Sequence, residues 1–323
     1  MTDPIPPSWE RATLERIALR ALDEQRRARQ WSTLIRLLWL TLLFLIVAAA
    51  LGWIGGAGDK EPLRTGKHTA LVDLAGVIGV ESRASADKMN AALAAAFKDK
   101  HTKGVVLRIN SPGGSPVQSG YINDEIRRLR AKYPDIPLHV VVQDLCASGG
   151  YYVAAAADRI FVDKASLVGS IGVIMGGFGF TGAMEKLGID RRTYTAGDNK
   201  DFLDPFAPEN PAHKEHAKRM LEEIHQQFIK VVRSGRGERL KESPEIFSGL
   251  VWTGERAVEL GLADGFGSLD SVARDVIKAE RVVDFTPDEN YLEQLSKRLG
   301  AGAAESAARA FLERAAAAAA SLR

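Results

Sequence analysis

The sequence predicts an α/β domain preceded by one membrane-spanning helix, and three observations carry this prediction. Apolar runs typical of buried strands alternate with helical runs between residues 69 and 278, as in a sheet covered by helices. Several turns between these runs are rich in glycine and contain a hydroxyl or charged side chain. Residues 37–58 form a charge-free run of about 22 residues, enough to cross a hydrocarbon layer about 30 Å thick as a helix.

The residues around this apolar run predict its orientation. Residues 1–36 are polar and contain seven arginines, an excess of positive charge that predicts a cytoplasmic N-terminus. Trp39 and Trp53 lie near the two ends of the run, where amphipathic rings prefer to sit. A cleavable secretory signal has a shorter apolar region, of about 7–15 residues, behind a short leader. We therefore expect a retained anchor, with everything after residue 58 on the far side of the membrane.

Composition predicts where the folded domain begins and ends. Residues 59–68 are polar and contain helix-breaking residues, so we expect a tether there. The α/β pattern occupies residues 69–285, and residues 286–323 become rich in alanine, which predicts a C-terminal helical extension. Strands are predicted at residues 69–74, 102–110, 138–143, 159–162, 170–175 and 192–195, and helices at residues 84–99, 116–133, 148–157, 211–233 and 271–278.

Charge and cysteine content exclude several classes of function. A formal net charge of +2 over 323 residues gives nucleic-acid binding no electrostatic support. Cys146 is the one cysteine, which excludes an intrachain disulfide and a multi-cysteine metal site, and we expect it to be a buried apolar filler. One predicted helix contains His213, His216 and His225. The first two are three residues apart, as metal ligands can be, but no third ligand with recognisable spacing accompanies them, so we expect a solvated face. No metal or cofactor is therefore expected.

Ser148 lies where a strand-like run gives way to a helical one. Residues 138–142 are apolar and β-like, and an alanine-rich helical run follows the serine and its two glycines, Gly149 and Gly150. A serine at such a turn presents its Oγ at a helix N-terminus, where backbone N–H groups can stabilise a developing negative charge. The alternative is that Ser148 only caps the helix.

Three further turns contain candidate functional residues. Residues 110–115 read Asn-Ser-Pro-Gly-Gly-Ser after a buried strand, and their glycines can direct backbone N–H groups at an oxyanion. Ser170 lies in the glycine-flanked turn at residues 168–173, where a serine can also be an ordinary turn residue. Lys200 lies in the turn-rich segment 195–201, where it could instead be an exposed lysine paired with a neighbouring aspartate.

These four segments, in this order and spacing, resemble the signal peptide peptidase A family of membrane-bound serine peptidases. The resemblance continues through residues 247–257 and 260–265, spans residues 71–276, and is closest to the short form of the family, since the chain has no internal repeat. It implies a Clp- and crotonase-like spiral of ββα units.

The resemblance also implies roles for individual residues. Ser148 is expected to be the nucleophile of a Ser-Lys dyad, Lys200 its general base and Ser170 the hydroxyl that orients the lysine. The expected oxyanion hole consists of backbone N–H groups in the two glycine turns. Its candidates are Gly113 and Gly149, with Gly114 as the adjacent alternative.

A lysine base has a physical requirement. A free lysine titrates near 10.4, and lowering its pKa to about 7 by burial costs roughly 4 kcal/mol. The apolar side chains of Phe202, Leu203 and Phe206 could exclude water from the amine of Lys200. The aspartates of the same segment would favour the charged form, so we expect them to face away from the amine.

The resemblance further implies a location, substrates and an assembly. The expected location is a bacterial inner membrane, with the catalytic domain on the periplasmic side. The expected substrates are remnant signal peptides and other apolar peptides, which enter as extended strands. Members of the short form assemble as homo-oligomeric rings in which neighbouring subunits supply serine and lysine, and an octamer is the expectation here.

Three alternative functions remain open. An acyl-CoA enzyme of the crotonase type would share the fold, although export past the membrane removes the chain from cytoplasmic CoA. A catalytically silent scaffold could keep the fold and bind peptides or a partner. A related membrane peptidase could cleave apolar segments of membrane proteins.

Overall fold

The computed structural model describes residues 26–27, 29–44 and 66–287. The chain divides into two compact units, Met1–Leu63 with Asn290–Arg323, and Arg64–Glu289. In the first unit, residues 29–44 form helix α1, whose apolar side chains are exposed. Within the described residues, no helix combines the length and apolarity that a bilayer crossing requires.

Several predicted segments lie wholly or partly outside the described residues. The predicted membrane span is described only up to residue 44, and the predicted tether only from residue 66. Most of the predicted cytoplasmic segment and of the alanine-rich extension also falls outside them. The predicted membrane span and these segment boundaries therefore stay predictions.

The second unit is an α/β domain built on one sheet. Its strands are β1 (His68–Ala75), β2 (Thr102–Ser111), β3 (Leu138–Ala147), β4 (Arg159–Val162), β5 (Leu167–Gly169), β6 (Val251–Thr253), β7 (Gly265–Phe266) and β8 (Val282–Asp284). Its α-helices are α2 (Ala86–Lys98), α3 (Pro116–Lys132), α4 (Gly149–Ala154), α5 (Thr181–Leu187), α6 (Pro211–Arg236), α7 (Gly254–Glu259) and α8 (Leu269–Ser271). Short 3-10 turns span Gly237–Arg239 and Pro244–Phe247, and a π-helical turn spans Val272–Ile277.

The sheet is mixed and mainly parallel. Its strand order is β6-β5-β3-β2-β1-β8, and β4 pairs with both β3 and β7. Among the described strands, the pairs are parallel except that β5 runs antiparallel to β6. Strand β3 forks, because residues 139–141 pair with β4 and residues 145–147 pair with β5. This α/β arrangement fits the predicted Clp- and crotonase-like protease fold.

The central strands are buried on both faces, which explains their continuous apolar sequences. Successive side chains of a strand point to opposite faces. In β2, Val105 and Leu107 belong to the larger apolar core, whereas Val106 packs with Val141 in a smaller cluster on the other face. Sheets buried in this way lack a polar face, as parallel sheets typically do.

Two predicted strands are wrong. The chain leaves β5 at Gly169, and residues 170–175 do not form the predicted strand. The physical reason is that Ser170 has a φ of 50°, which ends the extended backbone. Residues 192–195 are exposed and form no strand either. Their β-favouring side chains have no neighbouring strand to pack against, and packing is what β propensity mostly measures.

Candidate active site

The candidate residues meet because three parallel strands end at the same edge of the sheet. Ser111, near the end of β2, pairs with Cys146 of β3, and Ala147 pairs with Gly169 of β5. The residues that follow these strand ends are therefore neighbours. Ligands in open α/β sheets bind at this carboxyl edge.

Ser148 occupies a strained turn between β3 and α4. Its φ of 50° and ψ of −121° lie outside the regions that non-glycine residues favour. The turn is held on both sides, because the Ser148 N–H donates to the Gly169 carbonyl at 2.8 Å and the Ser148 carbonyl accepts from the Tyr152 N–H at 2.9 Å. Such backbone outliers cost about 1–3 kcal/mol and concentrate at active sites. The geometry presents the half-buried Ser148 at the N-terminus of α4.

The glycine loop after β2 packs directly on this turn. Gly113 has a φ of 98°, and a Cβ at this position would lie 2.6 Å from the Gly149 nitrogen and 2.8 Å from the Ser148 Cβ. The buried Gly113 N–H donates to Ser111 Oγ at 3.1 Å. A Cβ on Gly149 would lie 3.2 Å from the nitrogen of Gly114, which is exposed. The backbone nitrogens of Gly114 and Gly149 are therefore close together beside Ser148.

The loop itself is anchored to the residues that follow β1. Ser111 Oγ donates to the Gly76 carbonyl at 2.6 Å. The Ile78 N–H donates to the Gly113 carbonyl at 2.8 Å, and the Ser115 N–H donates to the Ile78 carbonyl at 2.9 Å. These three bonds hold the loop against the segment that follows β1.

Ser170 is held beside Ser148 by its own backbone. Gly169, which accepts the Ser148 N–H, immediately precedes it, and the Ser170 N–H donates to the Leu250 carbonyl at 2.7 Å. On the next residue, the Ile171 carbonyl lies 3.2 Å from Nε2 of His225 on α6. The segment at residues 247–257 thus braces the Ser170 turn, which gives that motif a structural role.

A pocket of about 920 Å³ opens at this point. Ser148, Ser170, Gly114 and Gly149 all contribute to its lining, whereas Gly113 does not. The rest of the wall comes mainly from α3, α4, α6 and the segments after β5 and before β6: Pro116, Val117, Ser119, Gly120, Tyr121, Asp124, Tyr152, Gly172, Val173, Ile174, Ile224, Gln227, Phe228, Ser248 and Gly249.

Lys200 lies apart from this pocket within the single chain. It is exposed and is not among the lining residues. Asp204, which lies between Leu203 and Phe206 in the sequence, forms an ion pair with Arg191, with Nη2 and Oδ2 2.7 Å apart. The Phe206 N–H and that guanidinium hold the pKa of Asp204 below its usual range. Phe206 itself stacks on Phe180 at 5.3 Å and does not enclose the amine.

Comparison with known proteins shows which family this part of the chain resembles. Residues 130–283 match the model of peptidase family S49. A little under half of the chain is therefore similar to this peptidase family. The matched segment contains Ser148, Ser170 and Lys200, and the Gly113–Gly114 loop precedes it. This match confirms the resemblance drawn from the motifs.

Individual relatives agree with this assignment. The chain is 34% identical over 189 residues to a putative signal peptide peptidase SppA of Enterococcus faecium, covering 58% of this chain and 54% of the relative. It is 35% identical over 198 residues to a putative protease of Methanocaldococcus jannaschii, covering 60% and 63%. The chain thus spans between half and two thirds of the length of these two relatives.

Two other matches carry less weight. The chain is 49% identical over 179 residues to a protein of Brucella melitensis named Na(+)/H(+) antiporter NhaA, covering 55% of this chain but 24% of that protein. A name given to the whole protein says little about a quarter of it.

One solved structure is also similar to the chain, a mutant of the 1510-N membrane-bound stomatin-specific protease. The sequence identity is 15% and the TM-score is 0.43, and the match covers 69% of this chain and 96% of that chain. A structural similarity this low supports no conclusion about fold or function.

Some features of the candidate site were not foreseen from the sequence. Ile224 and Phe228 of α6 line the pocket, although no role was predicted for them. His213 was expected on a solvated face, yet it is buried and lies 3.1 Å from Asn199 Oδ1. These residues belong to segments distant in sequence from Ser148, so only the fold could place them.

Two other candidates have no catalytic geometry. Cys146 is fully buried, as predicted, and burial raises the pKa of its thiol, so it stays protonated. Among the described residues, no cluster of histidine, cysteine, aspartate or glutamate could hold a metal ion.

Proposed function

We propose that this chain is a membrane-anchored serine endopeptidase that digests remnant signal peptides and other apolar peptides. One observation carries the proposal. Ser148 is held in a strained turn at the N-terminus of α4, against a glycine loop, at the edge of a largely apolar pocket. Strained serines on strand-to-helix turns are typical of nucleophiles.

The chemistry follows from this arrangement. Ser148 Oγ adds to the carbonyl carbon of the scissile peptide while its proton passes to the amine of Lys200. The carbonyl oxygen becomes an oxyanion, which accepts hydrogen bonds from backbone N–H groups. The intermediate collapses, the peptide C–N bond breaks, and the proton passes from the lysine to the leaving nitrogen. Water then hydrolyses the acyl-serine by the same steps, which returns the proton to Ser148.

Gly114 and Gly149 are the better pair of oxyanion donors. Both line the pocket, and their nitrogens lie close together. The first N–H groups of a helix have no partner within the helix, which leaves the Gly149 N–H available. The Gly113 N–H already donates to Ser111 Oγ, so we propose that Gly113 shapes the loop rather than donating.

The proposed base, Lys200, needs a second copy of the chain. Lys200 is exposed in the single chain, whereas a lysine base requires a surface that excludes water from its amine. We propose that Lys200 enters the pocket of a neighbouring subunit in a homo-oligomeric ring, where Ser170 orients it. The large apolar side chains exposed on the same segment, among them Phe178, support such a contact.

The substrate class rests on the pocket and on the apolar run at residues 37–58. Val117, Ile174, Ile224 and Phe228 give the pocket an apolar wall suited to the side chains of a signal peptide. The apolar run would keep the domain near the membrane surface, where cleaved signal peptides are released. The positive charge of residues 1–36 favours a cytoplasmic N-terminus and a periplasmic catalytic domain.

The test is peptide hydrolysis by the full chain in detergent micelles. A quenched fluorescent peptide with a signal-peptide sequence should be cleaved, and Ser148→Ala and Lys200→Ala should each lower kcat/KM by about a thousand-fold or more. Ser170→Ala should cost about ten- to a hundred-fold, because it removes orientation but not the base. Lys218→Ala, which removes an exposed lysine paired with Glu215 on α6, serves as the matched control and should change nothing.

Two outcomes would contradict the proposal. Full activity of Lys200→Ala, with Ser148→Ala inactive, would place the base elsewhere. An inert wild-type chain of intact fold and assembly would favour the peptide-binding scaffold.

A further inference from the structure

Asp124 stands out among the residues that line the pocket. Among the described residues that line the pocket, Asp124 is the single residue with a charged side chain. The wall around it contains uncharged polar side chains and apolar or aromatic ones, among them Val117, Tyr152 and Phe228. The Asp124 side chain is exposed, so a peptide in the pocket can reach its carboxylate. An apolar peptide that displaced the water there would leave this charge poorly solvated unless it brought a cation with it.

Helix α3, which contains Asp124, is tied to helix α4, which follows Ser148. Tyr152 lies four residues after Ser148, one helical turn along the same face of α4. The Tyr152 carbonyl accepts a hydrogen bond of 2.7 Å from Nδ2 of Asn123, the residue before Asp124 on α3. The Tyr152 ring also packs on Phe228 of α6, with ring centroids 5.2 Å apart. Asp124 and Ser148 therefore line the same pocket, with Tyr152 as a further lining residue.

The cations near Asp124 are engaged elsewhere. Arg127, one turn further along α3, donates to Asn123 Oδ1 at 2.9 Å and to Ser234 Oγ at 3.3 Å. Arg128 pairs with Glu125. Within residues 66–287, no ion pair involves Asp124. Its carboxylate is therefore free to receive a charge from outside the chain.

We propose that Asp124 makes one subsite of this pocket select a cationic side chain, lysine or arginine, in an otherwise apolar peptide. The methylene stem of such a side chain would pack on the apolar wall while its charged head reaches the carboxylate. The Tyr152 ring offers a further face to the cation. Burial and the charge of Asp124 both raise the pKa of Tyr152, so the phenol stays neutral beside the cation. This inference rests on the proposed peptidase function and refines its substrate class.

The experiment compares peptides that differ at one position. A series of quenched signal-like peptides carries lysine or leucine at each position in turn around the cleaved bond, and the full chain hydrolyses them in detergent. At one position the wild-type chain should prefer lysine, and Asp124→Asn should lower the ratio of kcat/KM for lysine to that for leucine by about three- to ten-fold. The ratio is the readout because it cancels any general effect of the substitution on hydrolysis.

Two controls separate charge from structure. Asp124→Glu keeps the charge and should retain the preference for lysine. Glu125→Gln removes the neighbouring carboxylate, which pairs with Arg128, and should leave the ratio unchanged. Raising the salt concentration to about 0.5 M should weaken the preference in the wild type but not in Asp124→Asn, since ions screen exposed charges.

The outcomes distinguish this inference from the function it rests on. An unchanged ratio in Asp124→Asn, with normal hydrolysis of the leucine peptide, would overturn the role of Asp124 and leave the peptidase intact. Failure of the wild-type chain to hydrolyse any peptide of the series would overturn both.

Discussion

At the scale of single residues, the candidate site depends on backbone positions that few residue types tolerate. Ser148 and Ser170 both have a φ of 50°, and Gly113 has a φ of 98°. The two serines are strained, whereas glycine adopts such values without penalty. The strain at both serines is maintained by hydrogen bonds that tie each turn to a neighbouring segment.

The loop glycine gives the first prediction at this scale. Gly113→Ala would place a Cβ 2.6 Å from the Gly149 nitrogen, at a φ that alanine disfavours. The loop must move away from Ser148, so we expect kcat/KM for peptide hydrolysis to fall by about a hundred-fold or more, as when one oxyanion donor is lost. Peptide kinetics and thermal unfolding of the full chain measure the effect.

Gly79→Ala is the control for that substitution. A Cβ there meets nothing within 4 Å, so its activity and unfolding temperature should match the wild type. If Gly113→Ala retained full activity, the loop could not be part of the oxyanion site.

At this scale the sequence indicated candidate residues but not how they are arranged. The position of Ser148 between a strand and a helix was predictable, since an apolar run meets an alanine-rich run there. The occupied N–H of Gly113 was not predictable, because it depends on the direction in which Ser111 Oγ points. The position of Asp124 in the pocket wall was also not predictable, since nothing in the sequence of α3 distinguishes it from a solvated aspartate.

At the scale of elements, the position of the site follows from the register of β2, β3 and β5. The long central strands were predictable from their apolar runs. The strands β5 to β8 have two or three residues each, too few for a periodicity to show. Their pairing depends on contacts remote in sequence, and so does the fork of β3 that separates β4 from β5.

A buried ion pair connects the end of α6 to this sheet. Arg236 is 1% exposed and donates to Asp264 through Nη1 and Nη2 at 2.8 and 2.9 Å, and to the Gly261 carbonyl at 2.8 Å. Asp264 also accepts the Ile160 N–H of β4 at 2.7 Å. Burial alone would raise the pKa of Asp264, but the Arg236 guanidinium and the Ile160 N–H outweigh it and hold the pKa below its usual range.

We expect Arg236→Met to lower the free energy of unfolding by about 3 kcal/mol. The carboxylate of Asp264 stays partly buried in this variant, but it loses the guanidinium that compensates its charge. Because the folded pKa of Asp264 is lowered, the stabilisation is complete above the unfolded pKa of about 3.9 and disappears as the pH falls through the folded value. The difference between variant and wild type should therefore shrink in acid. Urea unfolding of the full chain at pH 7 and in a series down to pH 3 measures it.

The control for the ion pair is Arg256→Met, which removes an exposed arginine paired with Glu259 on α7. Such pairs contribute at most about 1 kcal/mol. An equally small loss for Arg236→Met would mean that Arg239, which also contacts Asp264, replaces the missing partner.

At the scale of the whole molecule, one segment of the single chain is poorly buried. Between β5 and α6 the side chains of Ile174, Phe178 and Tyr194 are 91%, 81% and 93% exposed, and helix α5 contains no buried residue. Large apolar patches on a protein surface usually mark an interaction site. Lys200 lies in this same segment, so the candidate base and the exposed apolar side chains belong together.

Subunit mixing tests whether this segment completes a neighbouring site. Ser148→Ala and Lys200→Ala chains, each with its own affinity tag, are co-expressed, and complexes containing both are purified in detergent by successive capture. Each variant alone should be inactive. In a ring where the serine and the lysine of one site come from adjacent subunits, random mixing completes about a quarter of the sites, so about a quarter of wild-type activity should return.

The control replaces the Lys200→Ala partner with a chain carrying both substitutions. No site can then be complete, and activity should stay at background. Mixed complexes of the two single variants that remain as inactive as either parent would show that serine and lysine do not meet across subunits. The exposed segment would then have to fold back over the pocket of its own chain to bring Lys200 to Ser148, because in the single chain the lysine lies outside that pocket.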